Sequence, residues 1–195
     1  TVTQKAKTVG PEPQANLLFP GSDFEDWNAF TGALNQYGVK YGSQNIGGGR
    51  NGSSALHINQ TPTKNDYVFT ALLGSPLPSK TTNITFYMKG TSTGKGLSIN
   101  VYWGSNYETF NLGSYTQEKV ISPTPDRQGT SGNGLNDYAG VIDTKGEWLK
   151  VTLDISSFSS NKAVGETIIA FKVGKKDTVA PNLVYDLLID DITFE

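Results

Sequence analysis

Short runs of apolar residues recur along the chain, separated by clusters of glycine, proline, asparagine and serine. In several runs apolar and polar residues alternate, which is the pattern of a strand with one face in a core and the other facing solvent. The separating clusters supply the fixed or positive φ angles that tight turns need. The runs predict about nine strands, at residues 16–19, 55–58, 67–72, 84–88, 97–103, 108–112, 148–155, 167–173 and 183–194.

The same pattern predicts the fold class and the domain organisation. No long helical periodicity occurs in the sequence, and two packed sheets bury many alternating strands with little helix. We therefore predict an all-β fold, a two-sheet antiparallel β-sandwich of the jelly-roll kind. The 195 residues, 36% of them hydrophobic, suffice for one sizeable core. We expect a polar tail or linker over residues 1–15 and one sandwich domain over residues 16–195.

Composition narrows the class of partner. The formal net charge is −2, from 16 basic and 18 acidic residues, so we expect neither a nucleic acid nor an anionic membrane as partner. The absence of cysteine excludes disulfides, thiolate metal sites and cysteine nucleophiles. No apolar run reaches the roughly 20 residues that span a bilayer. A start at Thr1 fits removal of a leader. We expect an exported bacterial protein, extracellular or at the cell surface, tethered to a larger protein or, as a lipoprotein, to a lipid anchor.

Two predicted strands carry polar and aromatic side chains on their outward faces. Tyr87 and Lys89 face outward from strand 84–88 and its end, and Asn100 and Tyr102 do so from strand 97–103. If these strands form a hairpin, the four side chains share one surface. Such a surface suits a sugar, because aromatic rings pack on the C–H faces of sugar rings while amides bind their hydroxyls. The alternative is ordinary tyrosine pairing on a solvated sheet face.

Further aromatic residues are candidates for the same kind of contact. Trp148 falls opposite the core-facing residues of its strand, so it lines the same face or covers an edge. Five more aromatic side chains occur in loop-like segments, where an exposed ring can contact a ligand at the rim of a site. They are Trp27, Tyr37, Tyr41, Tyr107 and Tyr115.

Three segments occur in an order that is typical of one family. Residues 16–27 contain Asn-Leu, Gly and Phe-Glu steps, residues 49–58 contain Gly-Ser-Ser-Ala-Leu, and residues 188–194 contain Asp-Asp in a closing strand. The chain thereby resembles carbohydrate-binding modules of the galactose-binding-like jelly-roll fold, as found in secreted bacterial proteins. The resemblance extends over residues 16–195. It implies a β-sandwich that binds a glycan or polysaccharide, without indicating which one.

The resemblance also implies a structural calcium ion between the opening segment, the glycine-rich loop 47–53 and the closing strand. Calcium takes about six to eight oxygen ligands at flexible angles. Alternation places Asp190 of the closing strand on the same face as Leu188. An isolated buried carboxylate is costly there, and a bound metal would relieve the cost. The alternative is that Asp190 lies at a sheet edge and is satisfied by loop amides or by Arg50. The candidate metal ligands are Asp23, Glu25, Asp190 and Asp191.

The sequence does not indicate catalysis. The glycine-rich loop is followed neither by a Gly-Lys-Ser/Thr step nor by a helix, as a phosphate-binding loop requires. His57 is the single histidine, and it alternates with apolar residues of a strand. Carboxylates such as Glu108 and Asp137 are not spaced so that two of them would face each other across a groove, as a glycosidase requires.

We therefore predict a non-catalytic glycan-binding module. The alternative is a surface adhesion or structural domain that makes protein contacts. The long segment 114–140 is a candidate lid, rim or adhesive contact.

Overall fold

A computed structural model describes residues 14–35, 37–116, 119–125, 136–157 and 163–195. Within these ranges the chain forms strands, one α-helix, α1 (Trp27–Gly32), and one 3-10 turn at Arg50–Gly52. The strands are β1 (Gly42–Asn45), β2 (Ala55–Gln60), β3 (Asp66–Leu72), β4 (Asn83–Ser92), β5 (Leu97–Trp103), β6 (Asn106–Leu112), β7 (Tyr115–Thr116), β8 (Val120–Ile121), β9 (Ile142–Asp143), β10 (Leu149–Asp154), β11 (Thr167–Val173) and β12 (Tyr185–Phe194).

Two sheets contain all of these strands. The large sheet has the order β1-β2-β12-β4-β10-β8, with β9 paired to β4 and β7 paired to β9. The small sheet has the order β3-β11-β5-β6. All pairings are antiparallel except β8 with β10 and β7 with β9. The predicted all-β sandwich of two antiparallel sheets is therefore confirmed.

The core forms where the apolar faces of the two sheets meet. Leu149, Val151 and Leu153 alternate with more exposed neighbours along β10, as the sequence pattern predicts. Aromatic packing joins the two sheets. The ring centroid of Phe171 in the small sheet lies 4.9 Å from that of Phe69 in the same sheet and 5.1 Å from that of Phe86 in the large sheet. Burial of each such side chain contributes about 1.5–3 kcal/mol.

Strands 84–88 and 97–103 do not form the predicted hairpin. The first is part of β4, which continues to Ser92 and pairs with β12, β10 and β9 in the large sheet. The second is β5, which pairs with β11 and β6 in the small sheet. Alternation gives each strand a core-facing side but does not determine its sheet. The chain crosses between the sheets here, so both apolar faces meet in the core.

Other differences concern the ends and the long connection. Predicted strand 16–19 is wrong, because its only ladder contact is one bridge from Leu17 to Thr193. The predicted loop 114–140 contains β7 and β8, while its residues 117–118 and 126–135 lie outside the described residues. Residues 1–13, most of the predicted tail, also lie outside the described residues.

The α-helix has six residues, and within the described ranges no helix has the length and apolar character for a membrane crossing.

The opening segment hydrogen-bonds to β12 of the large sheet and continues into α1, whose Phe30 packs against Phe69 of the small sheet. The Asp26 side chain accepts hydrogen bonds from the backbone N–H groups of Asn28 and Ala29, both at 3.0 Å, and so begins the helix. Phe30 is fully buried, 5.0 Å from the ring of Phe24. This anchored segment holds the side chains of residues 23–25 at the large sheet, next to the 3-10 turn.

Candidate functional site

The five predicted ligand-binding residues lie on opposite sides of the sandwich. Tyr102 and Asn100 belong to the outer face of the small sheet, because their strand neighbours Ile99 and Val101 point into the core. The other three are grouped at the outer face of the large sheet. They are Tyr87, Lys89 and Trp148. The prediction that these residues share a single surface is therefore wrong.

A groove of about 510 Å³ opens over the small sheet. We call it the tyrosine groove. It reaches from the loop after α1, across β3, to the start of β11 and the turn after β5. The lining residues that matter below are Asn35, Tyr37, Tyr67, Thr70, Tyr102 and Glu166.

Two aromatic pairs border the groove. The rings of Tyr37 and Tyr67 are stacked, with centroids 5.6 Å apart and an interplanar angle of 6°. Tyr102 packs against Tyr107 at 5.2 Å and 42°. Tyr37 is 46% exposed, so much of its ring is open to a ligand. Burial raises the pKa of the Tyr102 hydroxyl, which keeps it a protonated hydrogen-bond donor.

A transverse row of short side chains lies beside these rings and reaches the floor of the groove at Thr70. The strand register aligns Thr70, Ala170, Asn100 and Thr109 across β3, β11, β5 and β6. The Thr109 hydroxyl donates to Asn100 Oδ1 at 3.2 Å, and the Asn100 amide donates to the Tyr102 hydroxyl at 3.5 Å. Ala170, Asn100 and Thr109 are fully buried and do not line the groove, so Asn100 positions the Tyr102 ring and only Thr70 of this row offers a polar atom to a ligand.

One polar atom of this floor lacks a partner. Thr70 is 3% exposed, and within the part of the chain that the structure describes its Oγ1 forms no hydrogen bond. A buried hydroxyl without a partner costs about 1–3 kcal/mol. Because Thr70 lines the groove, a ligand hydroxyl bound there would satisfy it and recover that cost.

The outer face of the large sheet is less open. The guanidinium carbon of Arg50 lies 3.4 Å from the ring centroid of Tyr87, so one face of that ring is covered. Lys89 Nζ lies 6.0 Å from the Trp148 ring. Two predicted candidates, Tyr87 and Trp148, thus already contact cationic side chains.

The closing strand holds a buried carboxylate at this face. Leu187 and Ile189 point into the core, which places Asp190 on the outer side of β12 and not among core residues. Asp190 is nevertheless fully buried, because the glycine-rich loop covers it. A side chain at Gly49 would place its Cβ 2.7 Å from Asp190 Oδ2, so glycine is required for this close approach.

Three donors satisfy Asp190. Its Oδ2 accepts from the Arg50 backbone N–H at 2.8 Å and from the Ser53 hydroxyl at 3.0 Å, and its Oδ1 accepts from the Asp191 N–H at 2.8 Å. Burial raises the pKa of Asp190 to about 7 despite these hydrogen bonds. Satisfaction by loop groups, the alternative from the sequence, is the observed arrangement. The predicted edge position is wrong, since β12 lies between β2 and β4.

The other predicted metal ligands meet at an adjacent cavity of about 350 Å³. Asp23, Glu25 and Asp191 line it together with Arg50, whose Nη1 lies 2.6 Å from Asp191 Oδ2. Burial raises the pKa of Asp191, Arg50 opposes that shift, and the charge of Asp23 adds to it. Glu25 accepts from the Ser54 N–H. The cavity therefore concentrates carboxylates around one guanidinium.

These residues fit calcium by donor chemistry, since calcium prefers carboxylate and carbonyl oxygens. Among the described residues, however, no three His, Cys, Asp or Glu side chains converge on a common metal position. Arg50 supplies the positive charge at Asp191. A calcium ion bound in this cavity would share Asp191 with that guanidinium.

A Gly-x-Ser-x-Gly string occurs at residues 90–94, at the end of β4. Its Ser92 is 2% exposed, and the hydroxyl accepts from the Ile142 N–H at 2.9 Å. His57 instead contacts Asp186 Oδ1 at 2.6 Å on the outer face of the large sheet. Ser92 and His57 do not contact each other, so they do not form the pair of nucleophile and base that a serine hydrolase uses.

Sequence reasoning missed most of the tyrosine groove. Tyr37 was a candidate only as a loop aromatic, and Tyr67 and Thr70 only as strand residues. The period-2 alternation places Thr70 opposite Phe69 and so signals an outward position, but nothing in the pattern links Tyr37 to Tyr67, which meet only in the fold. Comparison with known proteins adds no relative: no protein-family profile matches the chain, and no curated protein matches it significantly.

Proposed function

We propose that this protein is a non-catalytic glycan-binding module of an exported or surface-attached bacterial protein, and that the glycan binds in the tyrosine groove. The observation that carries the proposal is a groove of about 510 Å³ in which stacked tyrosines lie beside polar side chains. Tyrosine rings bind the apolar faces of sugars, and the lining side chains of Asn35, Thr70 and Ser105 can bind their polar edges.

The arrangement also supports binding at low entropic cost. Tyr37 and Tyr67 are already stacked, and Tyr102 is held by Tyr107 and Asn100. Side chains that are ordered before binding lose little rotamer freedom when the ligand arrives. A weak contact with each sugar ring therefore suffices for a useful total affinity.

The test is native gel retardation against a panel of soluble polysaccharides, followed by calorimetry on any that bind. We expect Tyr37→Ala to weaken binding about fivefold or more, taking about 1 kcal/mol, the lower value for a flat ring stacked on an aromatic side chain, as the contribution of this contact. Tyr37 is 46% exposed, so the substitution should lower stability by no more than its stacking contact with Tyr67 contributes, about 0.5–1.5 kcal/mol.

Trp148→Ala is the matched control, since it removes an aromatic ring from the outer face of the other sheet. It should bind like the unaltered protein. Loss of binding in Trp148→Ala with full binding in Tyr37→Ala would place the site on the large sheet and refute the groove. Retardation by no polysaccharide would favour the adhesion alternative.

The alternative function, a surface adhesion or structural domain that makes protein contacts, has weaker support from the structure. It predicts a contiguous apolar patch with aromatic anchors. In the described ranges the most exposed large apolar side chains come from separate connections or edges of the fold. They are Ile46, Val120, Val164 and Val179.

We also propose, separately, that calcium stabilises the acidic cavity of Asp23, Glu25 and Asp191. An ion that binds only the folded state at about 100 times its Kd adds about 2.7 kcal/mol. Chelator should therefore lower the melting temperature by several degrees, and Asp23→Asn should abolish the difference between calcium and chelator. Identical melting curves of the unaltered protein in calcium and in chelator would contradict this proposal.

A further inference from the structure

Charge is unevenly distributed over this nearly neutral chain. The net charge is −2, yet one end of the small sheet is strongly basic. We call it the lysine end and define it as residues 62–67, residues 172–176 and Lys40. Its lysines are Lys40, Lys64, Lys172, Lys175 and Lys176, and its one carboxylate is Asp66.

Backbone contacts bring the segments of the lysine end together. Lys172 pairs with Tyr67 in the ladder between β11 and β3. Beyond the ladder, the Lys175 N–H donates to the Asn65 side chain and the Lys176 N–H donates to the Pro62 carbonyl, both at 2.8 Å. The fold therefore holds the segments that carry these lysines next to one another.

The single carboxylate is shared. Asp66 lies 3.2 Å from Lys64 Nζ and 3.6 Å from Lys40 Nζ, and it also accepts from the Tyr41 hydroxyl at 3.0 Å. Burial alone would raise the pKa of Asp66, but the Tyr67 N–H and these contacts outweigh it and lower that pKa, so Asp66 is charged near neutral pH. Asp177, next along the chain, pairs with Lys95 at 2.5 Å, so these two charges offset each other. One negative charge among the five ammonium groups therefore leaves a net positive potential at this end.

Lys172 is the one lysine of this set that lies within a strand, β11. Its Nζ lies 4.8 Å from the ring centroid of Tyr67, and it forms no ion pair within the described residues. Partial burial lowers its pKa from the ordinary value, while Asp66 opposes the shift. A partly buried ammonium group that contacts an aromatic ring has lost some of its water and lacks an ion-pair partner. An anionic group of a ligand would supply that partner.

The lysine end is continuous with the tyrosine groove. Tyr67 lines the groove and contacts Lys172, and Tyr37 lines the groove with Lys40 Nζ 5.9 Å from its ring. Glu166, a carboxylate that also lines the groove, precedes β11 and so lies at the opposite end of that strand from Lys172. A chain molecule bound along the groove can therefore reach the lysines without leaving the surface.

We propose that the ligand of the tyrosine groove is an acidic polysaccharide, whose carboxylate or sulfate groups contact the lysine end while its sugar rings contact the tyrosines. This inference rests on the proposed glycan-binding function and narrows its substrate class. The overall charge of the chain gives no indication of it, because the excess acidic residues lie elsewhere.

The experiment compares matched polysaccharides by calorimetry and gel retardation. The pairs are polygalacturonate with its methyl-esterified form, and dextran sulfate with dextran, so charge changes while the backbone is kept. An acidic member should bind at least about tenfold tighter than its neutral partner, and raising NaCl from about 50 to about 500 mM should weaken that binding because salt screens exposed charges. The two pairs distinguish carboxylate from sulfate.

Lys175→Gln/Lys176→Gln tests the location, since both side chains are exposed. It should weaken acidic binding about threefold or more, in line with up to about 1 kcal/mol for each exposed charge contact. Lys80→Gln/Lys119→Gln removes the same charge from exposed positions elsewhere and should bind normally.

Equal binding of acidic and neutral members would overturn the acidic class and leave the glycan-binding function intact. Binding of neither would overturn both. Equally tight binding of a single-stranded DNA oligonucleotide, or equal losses in the two lysine double variants, would indicate a non-specific polyanion surface and overturn the inference.

Discussion

Asp190→Ala is expected to lower the free energy of unfolding by about 3–5 kcal/mol, the range found when one partner of a buried charged network is removed. The substitution leaves three buried donors without their acceptor: the Arg50 N–H, the Ser53 hydroxyl and the Asp191 N–H. Each unsatisfied donor costs about 1–3 kcal/mol, and loss of the buried carboxylate with its raised pKa offsets only part of that.

Asp186→Ala is the control, because Asp186 lies on the same strand and the same outer face but its side chain is 63% exposed. It loses one contact to His57 and should cost no more than about 1 kcal/mol. Urea denaturation of the three proteins checks the prediction. A loss below about 1 kcal/mol in Asp190→Ala would show that the loop does not depend on this carboxylate.

Gly21→Ala is expected to destabilise the protein by about 3 kcal/mol or more. Gly21 has a φ of +71°, a region that costs a residue with a side chain about 1–2 kcal/mol. A Cβ at this position would also lie 2.2 Å from the Phe30 backbone nitrogen and 2.8 Å from the Asp26 carbonyl oxygen. Backbone atoms cannot rotate away, so α1 would have to shift.

Gly47→Ala separates the two effects. Gly47 has a φ of +78° but no atom within 4 Å of the added Cβ, so it should lose only the backbone term, about 1–2 kcal/mol. Thermal and urea denaturation of both variants measure the difference. Equal losses at the two glycines would contradict the contact between Gly21 and α1.

Asp190→Ala also separates stability from binding. Asp190 acts at the large sheet, whereas the tyrosine groove and the lysine end lie at the small sheet. At temperatures where Asp190→Ala remains folded, its glycan affinity should be unchanged, whereas Gly21→Ala shifts the helix that precedes Asn35 and Tyr37 of the groove. The groove variants Tyr37→Ala and Lys175→Gln/Lys176→Gln should show the reverse pattern.

The sequence by itself determined the class of fold and most of its strands. Alternation along residues 149–154 predicts which side chains are buried, because successive strand residues point to opposite faces, whereas along residues 97–103 the outward-facing Ser98 and Asn100 are buried as well. It also singled out Asp190 as a carboxylate that needs partners, and Arg50 and loop amides as one way to supply them. Local patterning carries this information, since burial and turn geometry depend on near neighbours.

Only the tertiary structure decided which faces share a surface. Tyr87 and Tyr102 have the same pattern, yet they lie on opposite sheets, because alternation fixes the face of a strand and not its neighbours. The stacking of Tyr37 on Tyr67, the row of Thr70, Ala170 and Asn100, and the gathering of lysines around Asp66 join residues distant in sequence. Such contacts depend on strand order and register, which non-local packing selects, and the candidate binding site consists of them.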